Sequence, residues 1–310
     1  MVDVVVLGQV GRDLVVRVDA VPAAGEAAPV RERVEVLGGK GANQGVACAQ
    51  LGLATALVGV VGDDRAADAV LERAVADGMD VGHVVRRAGA TTALLLDVVA
   101  DGGERRLLEH VPDDVLLRPD DVRAAAGLVG RARAVLLQLQ QPADALAPAL
   151  GTARDALLVA DGAPQDEGFR DTLLDRVHVL RADEDEAALL LGDAPDGVDA
   201  TVAAAHELVG RGPRVVALEA GDANVVAWAE GHVVVPLLGG PPVDPTGGGD
   251  SFVAGLVAAL LAGHDAATAA WWASTAAAAT ASRLGGRPDL DVARVAADAA
   301  RHRREHETGH

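Results

Sequence analysis

Six short, mostly apolar runs, at 4–7, 56–61, 134–139, 157–160, 177–180 and 215–218, are separated along much of the chain by segments with apolar residues at helical spacing, at 66–77, 143–154, 184–191 and 202–211. A run of this length without regular polar alternation suits a strand buried on both faces, as in parallel sheets whose crossovers are helices. The alternation predicts an α/β fold with a doubly wound, mostly parallel sheet flanked by helices. Such sheets bind ligands beyond the carboxyl ends of their strands. Two segments break the pattern. Residues 14–36 read as extended and valine-rich, and 92–108 holds the β-prone Leu94-Leu95-Leu96 and a Gly102-Gly103 turn, so both are expected as strands outside the main sheet.

Two glycine clusters fall where such a sheet holds a ligand. Asp244-Pro245-Thr246-Gly247-Gly248-Gly249-Asp250-Ser251-Phe252 leads into the apolar run 253–262. Consecutive glycines can turn their N–H groups toward one anion, and the following helix adds its positive end. Asp250, at the helix entrance, is placed to take a proton from a hydroxyl as a phosphoryl group arrives. The same residues also read as a plain loop with an aspartate N-cap. No Gly-Lys-Ser/Thr follows four spacer residues, so this is not a Walker A loop. The second cluster, Leu37-Gly38-Gly39-Lys40-Gly41-Ala42-Asn43-Gln44-Gly45, leads into a helical pattern that stops at Gly52. Lys40 and Asn43 offer polar groups beside bare backbone; without a ligand the cluster is a turn and a helix.

Together these segments resemble the two signature regions of the PfkB (ribokinase-like) family of carbohydrate kinases, and Gly38 to Gln44 is most similar to the ribokinase branch. Weaker similarities lie in Gly11-Arg12-Asp13 after the first strand, in Gly62-Asp63-Asp64, in Leu136-Leu137-Gln138-Leu139-Gln140 and in Val159-Ala160-Asp161. The resemblance implies one ribokinase-like kinase domain over 1–310, with a small β lid inserted at about 12–36 and 91–109 that closes over the sugar and can pair two copies as a homodimer. It implies an ATP-dependent phosphotransferase acting on a primary hydroxyl of a sugar or sugar-like molecule. Asp250 would be the base, with Gly247, Gly248 and Gly249 as the anion hole. Asp13, Gly39, Lys40, Asn43 and Gln140 would line the acceptor site, and Asp183, Glu219, Gly221 and Ser274 the nucleotide site. Asp183 and Glu186 would support magnesium (Mg2+) through water, and Asp244, with carbonyls near Thr246 and 283–286, would hold potassium (K+). Read without the resemblance, Asp183-Glu184-Asp185-Glu186 is equally an acidic first helical turn favoured by the helix dipole.

The chain departs from the family pattern at four places. Asp183 replaces an asparagine, Ala217-Leu218-Glu219-Ala220-Gly221-Asp222 replaces Thr-Leu-Gly-x-x-Gly, Gly11 stands for an asparagine and Gln140 for a glutamate. The acceptor and the phosphate grip are therefore where this chain is expected to differ. A nucleoside kinase of the same fold and a non-catalytic sugar or nucleotide sensor are the competing readings. A dinucleotide-binding oxidoreductase is disfavoured because Gly8-Gln9-Val10-Gly11 lacks the third glycine and runs into a β-prone segment.

Charge and composition narrow the partners. With 27 basic and 46 acidic residues the net charge is −19, which argues against nucleic acid and anionic membranes as partners. Cys48, the single cysteine, lies on the apolar face of a helix and reads as a small buried hydrophobe. The first apolar run is short and lacks a basic flank, so it reads as a strand and not a signal peptide, and the expected location is cytoplasmic. The alanine-rich stretch 251–282, broken by Gly263-His264-Asp265, predicts two packed helices and no membrane span, with Trp271-Trp272 in packing. The polar tail 301–310, with its histidines, is expected to fray.

Overall fold

The computed structural model describes residues 2–101, 104–164, 166–240 and 243–308. Its strands are β1 (Val4–Leu7), β2 (Gly11–Val18), β3 (Glu32–Gly38), β4 (Thr55–Val61), β5 (Asp80–Arg86), β6 (Ala93–Ala100), β7 (Arg105–His110), β8 (Ala134–Gln138), β9 (Leu157–Asp161), β10 (Val179–Ala182), β11 (Val215–Ala220), β12 (Ala223–Trp228) and β13 (Gly231–Pro236). The helices are α1 (Lys40–Gln50), α2 (Arg65–Ala76), α3 (Pro119–Ala124), α4 (Ala126–Val129), α5 (Ala143–Thr152), α6 (Glu167–Leu174), α7 (Glu184–Leu191), α8 (Gly197–Val209), α9 (Gly248–Leu261), α10 (Ala266–Ala281) and α11 (Val292–Thr308). The main sheet runs β13-β12-β11-β10-β9-β8-β1-β4-β5; pairing is parallel from β11 to β5 and antiparallel at the β11-β12-β13 edge.

Side chains alternate across a strand, and in β1 both faces are covered. Val5 and Leu7 pack with Leu137, Leu146, Leu173 and Leu208 on one side. Val4 and Val6 pack with Val46, Leu136, Val253 and Leu256 on the other. All four β1 residues are fully buried, which at roughly 1.5–3 kcal/mol per Val or Leu makes this strand a strong contributor to folding. The apolar runs thus did mark the sheet interior, and the helices cover it from both sides.

A second sheet, ordered β3-β2-β6-β7, stands apart from the first. Chain connectivity places it over the carboxyl end of β1, because only residues 8–10 lie between Leu7 and the start of β2. Within it β2 pairs parallel with β6 and antiparallel with β3, with Asp13 opposite Leu95 and Val15 opposite Asp97. Asp13, Leu95 and Asp97 therefore share one face. Gly38, opposite Gly11 on β3, leaves the volume that the Asp13 carboxyl fills.

Several expectations shift. The strand anticipated at 177–180 lies two residues later, at Val179–Ala182, which carries Arg181 into the sheet. The edge strand β5 and the β12-β13 hairpin have no counterpart among the six runs. The tail does not fray over its described part: α11 continues to Thr308, held by Arg303 on Glu307 (2.8 Å) and Thr268 (2.9 Å) and by the His306 ring against Trp271. The Gly102-Gly103 turn lies outside the described residues. Cys48 is fully buried, and burial pushes its thiol up to about 12. Trp271 and Trp272 are buried in the core, and no helix among the described residues is long and apolar enough to cross a membrane.

The alanine-rich helices α9 and α10 pack backbone against backbone. A Cβ added at Gly255 would lie 2.9 Å from Ala273 Cα and 2.9 Å from the Trp272 carbonyl oxygen, and neither atom can rotate away. Gly255→Ala is therefore expected to destabilise the fold by about 1–3 kcal/mol despite alanine's better helix propensity. Urea unfolding should show a lower midpoint at unchanged slope.

Candidate active site

Parallel register builds the floor of the site. Gln138 on β8 pairs with Asp161 on β9, which pairs with Arg181 on β10, itself opposite Ala217 of β11, two residues before Glu219. Four polar side chains thus stand in a row along the carboxyl edge of an otherwise apolar sheet. Their neighbours are the N-termini of α1, α7 and α9, whose first-turn N–H groups lack intrahelical acceptors.

Helix α9 is preceded by Gly247, which occupies the N-cap position in the left-handed region (φ 70°) and provides no side-chain cap. Asp250 is consequently not the N-cap that one reading of the sequence allowed; it sits one turn in and aims into the site. Its Oδ1 accepts a hydrogen bond from Gln44 Nε2 (3.2 Å), and the same Nε2 donates to Asp161 Oδ2 (2.8 Å). Burial, together with the Asp161 carboxylate, pushes Asp250 up to about 7, against the opposing pull of Lys40, Gln44 and Arg181. Asp13 is likewise pushed up to about 7 by burial and by Asp97 and Asp250, and its buried Oδ1 has no hydrogen-bond partner among the described residues.

The acidic turn is a full capping box on α7. Asp183 Oδ1 accepts from the Glu186 N–H (2.8 Å), and Glu186 Oε2 accepts from the Asp183 N–H (3.0 Å). Glu186 also accepts from Lys40 Nζ through Oε1 (2.9 Å), so Lys40 is tied to α7. Asp161, Glu186 and Asp250 outweigh the burial of Lys40 and raise its ammonium above the ordinary value, keeping it charged. Arg181, 8% exposed, faces Asp161 (3.3 Å), Glu219 (3.3 Å) and Glu186 (3.7 Å).

A cavity of about 900 Å3 gathers these groups. Of the residues expected at the site, Asp13, Gly39, Lys40, Asn43, Gln140, Asp183, Glu186, Glu219, Gly247, Gly248, Gly249, Asp250 and Ser274 all line it. Gly221 does not: it turns between β11 and β12, where its N–H donates to Glu184. Asp244 also lies outside, fully buried behind the α9 entrance, its two oxygens accepting from the Thr246 and Gly285 N–H groups (both 2.9 Å). The small sheet closes one end with Leu95, Asp97, Arg105, Leu107 and Glu109, where Arg105 holds the buried Asp97 at 2.6 and 3.0 Å. Leu237, Leu238, Ala277, Ala278 and Ala281 make the opposite end apolar. Eight carboxylates and three cationic side chains line the cavity, so an anionic ligand must bring cations with it or find local donors.

Sequence reasoning passed over Arg181, the bridging role of Gln44 and the Asp97–Arg105 pair. A signal for the first existed: an arginine inside an apolar strand, directly ahead of an acidic run, must be buried among carboxylates to remain charged.

Known proteins resemble this chain over most of its length. The ATP-dependent ribose-1-phosphate kinase of Halopiger xanaduensis is 31% identical over 305 residues, covering 96% of this chain and 98% of that protein. The bifunctional ribokinase/ribose-5-phosphate isomerase A of Fructilactobacillus sanfranciscensis is 26% identical over 264 residues, or 84% of this chain, and the chain spans 49% of the length of that longer protein. Among solved structures, Arabidopsis thaliana ribokinase complexed with ribose and ATP shares the fold with a TM-score of 0.78 at 21% identity, over 97% of this chain and 99% of that one. The pattern of the pfkB family carbohydrate kinases matches residues 1–293, and this chain belongs to that family.

Proposed function

We infer that the chain is an ATP-dependent kinase that phosphorylates a hydroxyl of a sugar or sugar-like acceptor. The observation that carries this reading is Asp250: a buried carboxylate poised near neutrality, one turn inside a glycine-started helix whose N-terminus opens into the cavity. The acceptor lies at the small-sheet end, where Asp13, Asn43 and Gln140 face it, and the small sheet acts as its lid. The adenine lies at the apolar end. Asp250 takes the hydroxyl proton while the N–H groups at the start of α9 receive the charge of the transferring phosphoryl. The chain's use of ATP fits a cytoplasmic location.

The donor set suits magnesium, a hard ion with oxygen ligands that retains its waters. Asp183 and Glu186 offer only oxygen, are fixed by their capping box, and stand on the nucleotide side, so they would hold a hydrated ion. Bound there, the ion would neutralise phosphate charge. A potassium ion behind the anion hole is also part of this reading. Asp244 ties the Thr246 and Gly285 backbones together, and the buried Thr246 Oγ1 has no partner among the described residues. Such an ion stiffens the loop without touching substrate. Turnover is therefore expected to be higher in potassium than in sodium buffer at matched ionic strength; equal rates would remove the ion from the mechanism.

The base gives a second test. Activity needs the Asp250 carboxylate, so kcat/KM should fall as pH drops through about 7. Asp250→Asn should lose roughly 10²–10⁴-fold in turnover while nucleotide and acceptor binding stay within a few-fold. Stability has the opposite sign. A folded value raised from 3.8 to about 7 means the folded state holds the proton more tightly than the unfolded one, so stability falls as pH rises across that window. The asparagine variant lacks this loss and should melt no lower than the parent at pH 8. Equal loss of binding and turnover would instead make Asp250 a structural group.

Free ribose is not expected to be the best acceptor. Gln140 stands where a glutamate would make a charge-assisted hydrogen bond worth roughly 1.5–3 kcal/mol against about 0.5–1.5 for a neutral one, and Gly11 contributes no side chain. The relative from Halopiger xanaduensis is named for a phosphorylated sugar. Lys40 is paired with Glu186 and Arg105 with Asp97, but a guanidinium has five N–H donors and keeps some beyond those two bonds, so Arg105 is the cation offered to an anionic acceptor. An ADP-release screen over ribose, ribose 1-phosphate, hexoses, sugar acids and nucleosides checks this and the kinase reading together. The highest kcat/KM is expected away from free ribose, and Gln140→Glu should raise ribose activity; no ADP release with any acceptor of the panel would leave only a binding role.

A further inference from the structure

Arg181 is the one cation of the cavity floor that nothing in the reaction so far employs. It stands at the end of β10 in the row Gln138, Asp161, Arg181, with its guanidinium against the start of α9: a Cβ at Gly249 would lie 2.8 Å from Nη2 and 3.0 Å from Nη1. Gly249 thus exposes its backbone both to the cavity and to this charge. Asp161, Glu186, Glu219 and Asp183 outweigh the burial and keep the group protonated.

The counterions hold it loosely. Guanidinium–carboxylate bonds are strong at about 2.7–2.9 Å, whereas the three contacts here measure 3.3, 3.3 and 3.7 Å. A guanidinium has five N–H donors, so an arriving group with several charged oxygens can compete for it. Glu219 is the member of the set best able to yield, because its side chain is 36% exposed at the cavity wall.

We propose that Arg181 is a catalytic residue of this chain: its guanidinium contacts the transferring phosphoryl group at the N-terminus of α9, and Glu219 holds it in place until that group arrives. The proposal rests on the kinase reading above. In the step it serves, the acceptor O–H proton passes to Asp250 and the oxygen lone pair forms the bond to the γ-phosphorus. The bond from that phosphorus to the β,γ-bridging oxygen breaks, and its electrons leave on ADP. Charge on the transferring oxygens is what Arg181 meets, in the way a fixed cation stabilises a phosphoryl in flight.

The test compares Arg181→Ala, Arg181→Lys and the double variant Arg181→Ala/Glu219→Gln with the parent, by turnover and by calorimetric affinity for ADP and for ADP with aluminium fluoride, which mimics the phosphoryl in transfer. Arg181→Ala should lose roughly 10²–10³-fold in turnover with acceptor KM within a few-fold. It should lose a comparable factor in affinity for the aluminium fluoride complex and far less for ADP alone, and added guanidinium ion should restore part of the rate. Lysine should recover only part of the loss, since a point charge does not reproduce the planar fork. If the single variant fails to fold, the double variant, which also removes an excess carboxylate, gives the same comparison. Turnover within a few-fold of the parent overturns the proposal. So does a loss without guanidinium rescue that shifts the acid limb of the pH profile and leaves the aluminium fluoride affinity intact, because Arg181 would then act only through Asp161 and Gln44 on Asp250. A parent chain that phosphorylates no acceptor overturns the kinase reading, and this proposal with it, whereas an active parent with an active Arg181→Ala overturns the proposal alone.

Discussion

A parallel sheet buried on both faces has room for polar side chains only where its strands leave the layers, and the whole site follows from that constraint. Val4 to Leu7 and their neighbours must be apolar because helices cover both sides. Polarity is confined to the last turns of backbone, and parallel register then aligns it. Gln138, Asp161 and Arg181 are not near one another in sequence, yet pairing of β8, β9 and β10 sets them side by side without any further device. The geometry of the cavity floor is thus inherited from the hydrophobic core.

The price of that confinement is electrostatic. Desolvation raises the carboxylates Asp13, Asp161 and Asp250 together, and each lies close enough to another to raise it further or be raised by it. Lys40 and Arg181 relieve part of this, each through the attraction of its charge for more than one acid. The remainder is negative, so an anionic ligand gains most here when it carries its own cation. A polyphosphate alone would be repelled from these walls; a metal-complexed one would meet both signs of charge in place.

How much of this could be read from the chain depended on locality. The glycine clusters, the Asp183 to Glu186 turn and Asp250 are short patterns in which neighbouring residues form the relevant geometry, and they were legible. So was the α/β class, since apolar periodicity reports burial directly. Arg181 escaped because its meaning lies in Asp161, Glu186 and Glu219, which are brought to it by strand pairing and a helix turn. The same holds for Gln44, whose amide bridges residues 117 and 206 positions away. Asp97 and Arg105 lie in a segment whose strands were anticipated, but their pairing needs the β6-β7 register. The tail was misjudged because its polar face was visible in the sequence, whereas its docking on Thr268 and Trp271 required the position of α10.

The close contact of α9 with α10 has a bearing on Asp250. Asp250 and Gly255 lie on the same helix, five residues or about 7.5 Å of axial rise apart. Gly255 rests on the main chain of Ala273 and Trp272 with no side chain between them. Side chains can change rotamer to absorb a displacement, but two main chains in contact cannot. The depth to which the carboxylate reaches into the cavity is therefore gauged from behind, at the α9–α10 seam, by a spacing that thermal motion of side chains hardly alters.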